Sequence, residues 1–340
     1  MVERVLIVGA GPLAGKLLEE IERQPYLAAE VLGLVDDALS AATPLPYPVI
    51  GSLEDLPRLL EELRPDRVVV ALASRRGRLP MDPLLQARVR GVIVEEGVDA
   101  FERLTGKLAI EALTPSALVF SRDFRKPRVV LALSRALSVT LALLGLVLLS
   151  PLFVLIALAI LLDSRGPAFF AQDRVGAFGR RFKLVKFRTM HPTSRPPSEW
   201  ERDNGYRVTR VGRVLRRFRL DELPQFFNVL RGDMNLVGPR PHPVSNYQLF
   251  VERIPYYTLR TAVRPGITGW AQVRYRYAND LAEETEKMRY DLFYVKHLSL
   301  WLDVRILLET AKAVLQGASE APPPPAAAPA PAGGEPGEPR

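Results

Sequence analysis

Twenty-seven consecutive residues without a charge, 136–162 (ALSVTLALLGLVLLSPLFVLIALAILL), restrict this chain more than any other feature. A straight helix through them would run about 40 Å, more than the roughly 30 Å hydrocarbon core of a bilayer. Helices buried in soluble domains rarely go so far without a polar face, so the segment is expected in a membrane. Two details argue against a simple crossing. Ser150-Pro151 lies at the middle, where proline removes a backbone donor and bends the helix. Both flanks are also basic, with Arg122, Arg125, Lys126, Arg128 and Arg135 before and Arg165, Arg174, Arg180, Arg181 and Lys183 after. Positive flanks normally mark the cytoplasmic side, so two of them favour a re-entrant helix that enters and leaves by one face.

Ahead of this segment, residues 1–121 are expected to form an α/β domain. RVLIVGA, EVLGLVDD, DRVVVALA and GVIVEE are apolar, strand-like runs. Between them lie the helical GPLAGKLLEEIER and SLEDLPRLLEELR, the latter opening on a Ser-x-x-Asp capping pattern. Alternating strands and helices imply a parallel sheet covered on both faces, a Rossmann-like domain. Gly9, Gly11 and Gly15 follow the first strand and open a helix, and Asp36 ends the next strand. That is the setting of a dinucleotide loop. The bland alternative, favoured here, is a tight strand-to-helix turn with no ligand. Oxidoreductase equipment is missing: there is no cysteine and no Tyr-x-x-x-Lys, and the histidines (His191, His242, His297) are scattered.

The excess of positive charge is local. Of a formal +8 for 340 residues, residues 164–240 alone carry 17 Lys and Arg against 7 Asp and Glu. Such a surface suits an anion: nucleic acid, a phosphorylated metabolite or an acidic lipid. Within it the run LRRFRLDELPQ holds two adjacent carboxylates, Asp221 and Glu222, behind three arginines. The plain reading makes Asp221 the N-cap of a helix through ELPQFFNVLR. The chemical reading is compatible with it: positive surroundings would lower the pKa of Asp221 and keep it ionised as a nucleophile. Glu222 is a hard oxygen ligand suited to Mg²⁺, the cofactor expected here.

Four blocks carry a resemblance. GPAFFAQDRVGAFGRRFKLVKFRTM (166–190), VTRVGRVLRRFRLDELPQFFNVLRGDMNLVGPRP (208–241), VRPGITGWAQV (263–273) and YDLFYVKHLSLWLDVRILL (290–308) resemble the bacterial sugar transferase family, in order and from about Arg128 to Leu315. These are monotopic phosphoglycosyl transferases that initiate exopolysaccharide, capsule or O-antigen assembly. The resemblance implies transfer of a sugar-1-phosphate from a UDP-sugar to polyprenyl (undecaprenyl) phosphate, with release of UMP. It further implies a covalent phosphosugar-aspartate on Asp221, Mg²⁺ on Glu222, and phosphate or active-site contacts from Lys186, Arg216 and Arg240. The re-entrant helix of that family breaks at a Ser-Pro pair, here Ser150-Pro151. Expected location is the cytoplasmic face of the bacterial inner membrane, with no nucleic-acid partner; the oligomeric state stays open, a homodimer among the options.

The sequence departs from the family pattern at His191-Pro192, at Gly205-Tyr206 and at His242, where many members have Glu. These departures leave the sugar undecided. Residues 1–121 resemble the nucleotide-binding-like domain of larger members, where several transmembrane helices usually precede it; this sequence lacks them. The expected organisation is a Rossmann-like, regulatory domain over 1–121, a re-entrant helix over 128–163, and a mostly helical α+β catalytic domain over 164–317. A disordered Pro/Ala tail over 318–340 follows. Two other readings compete, a membrane-tethered NAD-dependent sugar-modifying enzyme using the glycine loop and a non-catalytic nucleotide-sensing scaffold.

Overall fold

The computed structural model describes residues 2–23, 29–37, 46–72, 79–110, 126–191, 207–275 and 278–316. Arg122, Arg125, Pro192, Gly205, Tyr206 and the 318–340 tail, all used in the sequence reading, lie outside them. The chain divides into two compact units, residues 1–125 and 126–340.

In the first unit, strands β1 (Glu3–Val8), β2 (Ala29–Val35), β3 (Val49–Gly51), β4 (Arg67–Val70) and β5 (Ile93–Glu96) form one sheet ordered β3-β2-β1-β4-β5. Every pairing is parallel, as the strand-helix alternation predicts. Period-two alternation sorts the core of β1 between two faces. Val5 and Ile7 pack with Leu17 and Leu18 of α1 (Pro12–Arg23) and Phe101 of α4 (Gly97–Thr105). Leu6 and Val8 pack with Leu56 and Leu59 of α2 (Leu56–Leu63) and Leu84 of α3 (Met81–Val89). The expected Ser52 cap is replaced. Helix α2 starts later, and the Asp55 carboxylate accepts from the Ser52 amide and hydroxyl at 3.0 and 2.8 Å.

The second unit opens with two apolar helices, α5 (Arg128–Leu148) and α6 (Ser150–Asp163). A hairpin follows, β6 (Phe169–Val175) and β7 (Arg181–Phe187), then α7 (Arg210–Arg217), a 3-10 turn (Leu220–Glu222) and α8 (Gln225–Arg231). Beyond these come β8 (Asn235–Val237), α9 (Val244–Arg253), a 3-10 turn (Tyr257–Ala262), β9 (Gly266–Thr268), α10 (Trp270–Arg274), α11 (Leu281–His297) and α12 (Leu300–Leu315). The architecture is therefore α/β: a parallel five-stranded sheet, a long apolar helix, then a mostly helical region.

Local chemistry explains the break between α5 and α6. Pro151 has no N–H for the carbonyl of Val147, four residues back, and the Ser150 hydroxyl donates to that carbonyl instead, at 2.9 Å. A Ser-Pro pair thus bends the helix without leaving an orphan acceptor, a condition that lipid enforces strictly. By length and composition α5 alone could cross a membrane, and the apolar pair points to membrane association. Leu143, Leu144, Val147, Leu148, Val154, Leu155, Leu158 and Leu161 are exposed.

Both arms are tied to the same folded body. On α5 the small, buried Ser134, Ser138 and Ala142 follow one another at four-residue spacing. Ser134 donates to the Asp303 carboxylate, and the Ser138 hydroxyl accepts from Leu236 N at 3.1 Å. Arg135 donates to the carbonyls of Val229 (2.6 Å) and Met234 (2.8 Å), covering the C-terminal end of α8. On α6, Ile156 and Ile160 pack with Phe187 and Leu215, and Asp163 accepts from Val211 N at 3.0 Å. The Arg188 guanidinium, itself buried, donates to the carbonyls of Ser164 (2.7 Å) and Arg165 (2.8 Å) just past the end of α6.

Candidate active site

The acidic pair sits on a turn, not on a helix end. Helix α8 begins only at Gln225, its N-cap position is Pro224, and no side chain caps it. The expected role of Asp221 as N-cap is therefore corrected. Arg219, in the left-handed region at φ 53°, reverses the chain after α7, and Asp221 and Glu222 follow within the 3-10 turn. Such a conformation costs a non-glycine residue about 1–3 kcal/mol and persists only where packing enforces it. Here the turn is pressed between β7 and α7. The seating of α7 depends on Gly212, because a Cβ there would stand 2.2 Å from the Thr189 carbonyl oxygen. Gly212→Ala is expected to lift α7 from Thr189 and lower the melting temperature by several degrees, read by thermal unfolding in detergent.

Around the turn the structure gathers the cations singled out in the sequence. Arg240 Nη2 donates to Glu222 Oε1 at 2.6 Å. Arg216 Nε donates to Thr189 Oγ1 at 3.0 Å. Lys186, opposite Phe170 in the β6–β7 register, is half-buried and feels the fields of Arg174, Asp221, Arg240 and Arg216. Burial above all, with Arg174 next, pushes its ammonium down to about 8, while Asp221 pulls the other way.

The two carboxylates differ. Burial raises Glu222, but the charge and hydrogen bond of Arg240, with Arg219 and Lys186, outweigh it and hold that carboxyl below the usual range. Asp221 goes up: burial first, then the adjacent Glu222, outweigh Lys186, Arg216 and Arg240. The expected lowering of Asp221 is thereby overturned, since the sequence shows the arginines but not the loss of water. Among the described residues none donates a hydrogen bond to the Asp221 carboxylate.

The donor set fits Mg²⁺, which takes one or two carboxylates and completes its octahedron from substrate phosphates and water. Among the described residues no cluster of three or more His, Asp or Glu could hold a metal unaided.

Residues that sequence reasoning missed also meet here. Arg174 appeared only as flanking charge, yet its Nη1 donates to the Pro241 carbonyl at 2.8 Å, next to Arg240. His242, one of the departures from the family pattern, is half-buried between Phe250, Tyr257 and Glu284, its Nε2 3.2 Å from Glu284 Oε1. Burial pushes its imidazole down to about 3 against the pull of Glu284, so it is neutral.

The glycine loop belongs to the first unit. Gly9 has φ +116°, and a Cβ on it would lie 2.6 Å from the carbonyl carbon of Ala71. Gly15 N donates to Gly11 O at 3.2 Å, and Asp36 Oδ2 accepts from Ala10 N at 2.8 Å. The loop amide that would face a pyrophosphate is thus satisfied by the chain's own acid, which supports the plain turn.

Residues 129–317 match the family described as Bacterial sugar transferase. The chain is similar to a UDP-N-acetylgalactosamine-undecaprenyl-phosphate N-acetylgalactosaminephosphotransferase of Aeromonas hydrophila, 42% identical over 217 residues, covering 64% of this chain and 51% of that protein. It is also similar to a UDP-glucose:undecaprenyl-phosphate glucose-1-phosphate transferase of Klebsiella pneumoniae, 35% identical over 310 residues, covering 90% and 66%. An undecaprenyl-phosphate galactose phosphotransferase of Salmonella typhimurium is 38% identical over 200 residues, covering 54% and 40%. The chain thus spans about half to two thirds of the length of the first two relatives. With the family match covering more than half of its residues, including every residue of the acidic turn and its cations, the chain belongs to the bacterial sugar transferase family.

Proposed function

We propose that this chain transfers a sugar-1-phosphate from a UDP-sugar to undecaprenyl phosphate, releasing UMP and initiating exopolysaccharide, capsule or O-antigen synthesis. The observation that carries this is the Asp221 carboxylate, which accepts from none of the described residues, beside the arginine-held Glu222 and within the fields of Lys186, Arg216 and Arg240. The names of the relatives supply the substrates, and they disagree on the sugar, which stays open here.

Two displacements at one phosphorus account for the reaction. An Asp221 oxygen attacks the phosphorus that bears the sugar; the bond to the bridging oxygen breaks and UMP departs with it. A phosphate oxygen of the lipid then attacks the same phosphorus, the bond to Asp221 breaks, and the carboxylate is regenerated. No net proton is gained or lost, so no general base is required. Lys186, Arg216 and Arg240 bring the positive charge that lets an anion approach a phosphoryl group. Glu222, with Asp221 beside it, would hold Mg²⁺, which when bound neutralises phosphate oxygens. A UMP-release assay across UDP-sugars with undecaprenyl phosphate tests the reading; no release with any sugar would reject it.

The membrane element is read as re-entrant, with both ends on the cytoplasmic face of the inner membrane. Support comes from the two sets of polar anchors, Ser134, Arg135 and Ser138 on α5 and Asp163 and Ser164 at the end of α6, all holding one folded body. A spanning helix would separate those anchors by the thickness of a bilayer.

The lysine adds a pH dependence. Lys186 is charged below about 8 and neutral above. Thus kcat/KM is expected to fall as the pH rises through about 8, toward the level of an enzyme with a neutral side chain at 186. Bound phosphates favour the charged form, so the corresponding limb of kcat lies at higher pH. Lys186→Met should show reduced activity without that limb; a limb unchanged in the variant would reject the assignment.

A further inference from the structure

Residues 239–243 read Pro-Arg-Pro-His-Pro. Three of the five lack an N–H, so this segment cannot build a ladder of its own, and its carbonyls need donors from elsewhere. Each finds one, and the five donors come from four elements. Pro239 O accepts from Gly266 N at 3.1 Å, Arg240 O from Arg260 Nη2 at 3.0 Å and Pro241 O from Arg174 Nη1 at 2.8 Å. His242 O accepts from Val175 N at 3.0 Å and Pro243 O from Tyr247 N at 2.9 Å.

The donor to Arg240 itself stands apart. Arg260 is 4% exposed and makes two further bonds, Nη1 to the Tyr257 hydroxyl at 3.0 Å and Nη2 to Asp291 Oδ2 at 2.5 Å. Tyr257 donates in turn to Glu284 Oε1 at 2.8 Å, and Lys287 Nζ to Glu284 Oε2 at 3.1 Å. Asp291, Glu284 and Tyr257 are each 1% exposed, so the guanidinium is fixed on three sides inside the protein. A buried cation needs compensation by charge and hydrogen bonds. Asp291 and Tyr257 supply it, leaving the third contact to grip the Arg240 main chain. Only a planar fork of several donors reaches three such acceptors at once, which lysine cannot do.

We infer that Arg260 is a positioning residue for the reaction: by fixing the Arg240 main chain it keeps the Arg240 guanidinium on Glu222. The inference rests on the reading that Glu222 and Arg240 serve phosphate transfer, and it adds the buried residue through which that pair is set. Misplacement of a charged group by about 1 Å can cost about 100-fold in rate. Arg260→Lys is therefore expected to lower kcat about 10- to 100-fold while KM for the UDP-sugar moves far less.

A double-mutant cycle separates positioning from mere stability, with a readout that needs no turnover. Melting temperatures in detergent are compared for Arg240→Gln, Glu222→Gln and the double variant, with Arg260 intact and with Arg260→Lys. With Arg260 intact the two shifts should be clearly non-additive, because the side chains are in contact. In Arg260→Lys they should become additive. If Arg260→Lys does not fold, Tyr257→Phe, which removes one acceptor of the guanidinium, should weaken the non-additivity in the same direction. Non-additivity that survives intact in both backgrounds overturns the inference, whatever the activity. Additivity in Arg260→Lys, with no UMP released by the unaltered protein, would uphold the positioning role and reject the proposed reaction.

Discussion

Asp221→Asn is expected to abolish the phosphosugar adduct and reduce turnover by about 10⁴-fold or more, the scale seen when a nucleophile is removed. The substitution is nearly isosteric and leaves the Arg240–Glu222 bond untouched, so geometry is preserved while the attacking charge is lost. Intact-protein mass spectrometry with UDP-sugar and Mg²⁺, but without lipid, should show the adduct on the unaltered protein only. Stability should move the other way. Asp221 lies above its ordinary pKa in the folded state, so the folded protein binds its proton more readily than the unfolded chain does. Ionising it at neutral pH therefore costs stability, and Asn removes that cost. The variant should melt at the same temperature or higher, a trade between stability and activity common at reactive centres. Full turnover by a well-folded Asp221→Asn would remove Asp221 from the chemistry.

Glu222→Gln gives the contrast. Its charge is matched by Arg240 at 2.6 Å, so removing it takes a charge-assisted hydrogen bond from a half-buried guanidinium. That variant should lose both stability and rate.

How far the sequence could be read varies with the range of the interaction. Local patterns sufficed for four of the five parallel strands, each a short apolar run, and for α1 and α2; β3 is only three residues long and α3 has no apolar stripe, so neither stands out in the sequence. They sufficed also for the Ser150-Pro151 break, where the missing N–H and the neighbouring hydroxyl are adjacent in the chain. Asp221, Glu222, Lys186, Arg216 and Arg240 were legible as residue types in resembling blocks, and the structure brings them together. The sign of the Asp221 shift was not, because it depends on burial by β7 and α7. Nor was the N-cap: Arg219 in a left-handed conformation delays the helix by one turn, and nothing in Arg-Leu-Asp-Glu announces that. Nothing in the sequence singles out Arg188 or Arg260. They bind carbonyls 23 and 20 residues away, and such pairings become visible only after the chain has folded.

Pro151→Leu should convert the bent pair into a single helix and shift the protein toward crossing the bilayer. Leucine restores the N–H that Val147 O lacks, and the bond returned is worth about 3 kcal/mol with the relief of the ring clash. Residues 128–163 would then form one helix of roughly 54 Å, far longer than the hydrocarbon core. Opposing this are the anchors at both ends, above all Arg188 on the carbonyls of Ser164 and Arg165. A straight helix cannot keep the anchors of α5 and those of α6 together. Pro151→Leu alone should give a mixed population, and Pro151→Leu with Arg188→Ala should move it further, since the exit of α6 is then released. The chain has no cysteine, so single probes report cleanly. Arg128→Cys and Arg180→Cys, both at exposed positions, should be labelled from one face of the membrane in the otherwise unaltered protein. In the double variant a growing fraction should be labelled from opposite faces, with phosphosugar transfer falling in proportion as β7 loses its support. Opposite-face labelling before any change at Pro151 would defeat the re-entrant reading. Same-face labelling that persists in the double variant would mean that the anchors on α5, and not the Ser-Pro bend, decide the topology.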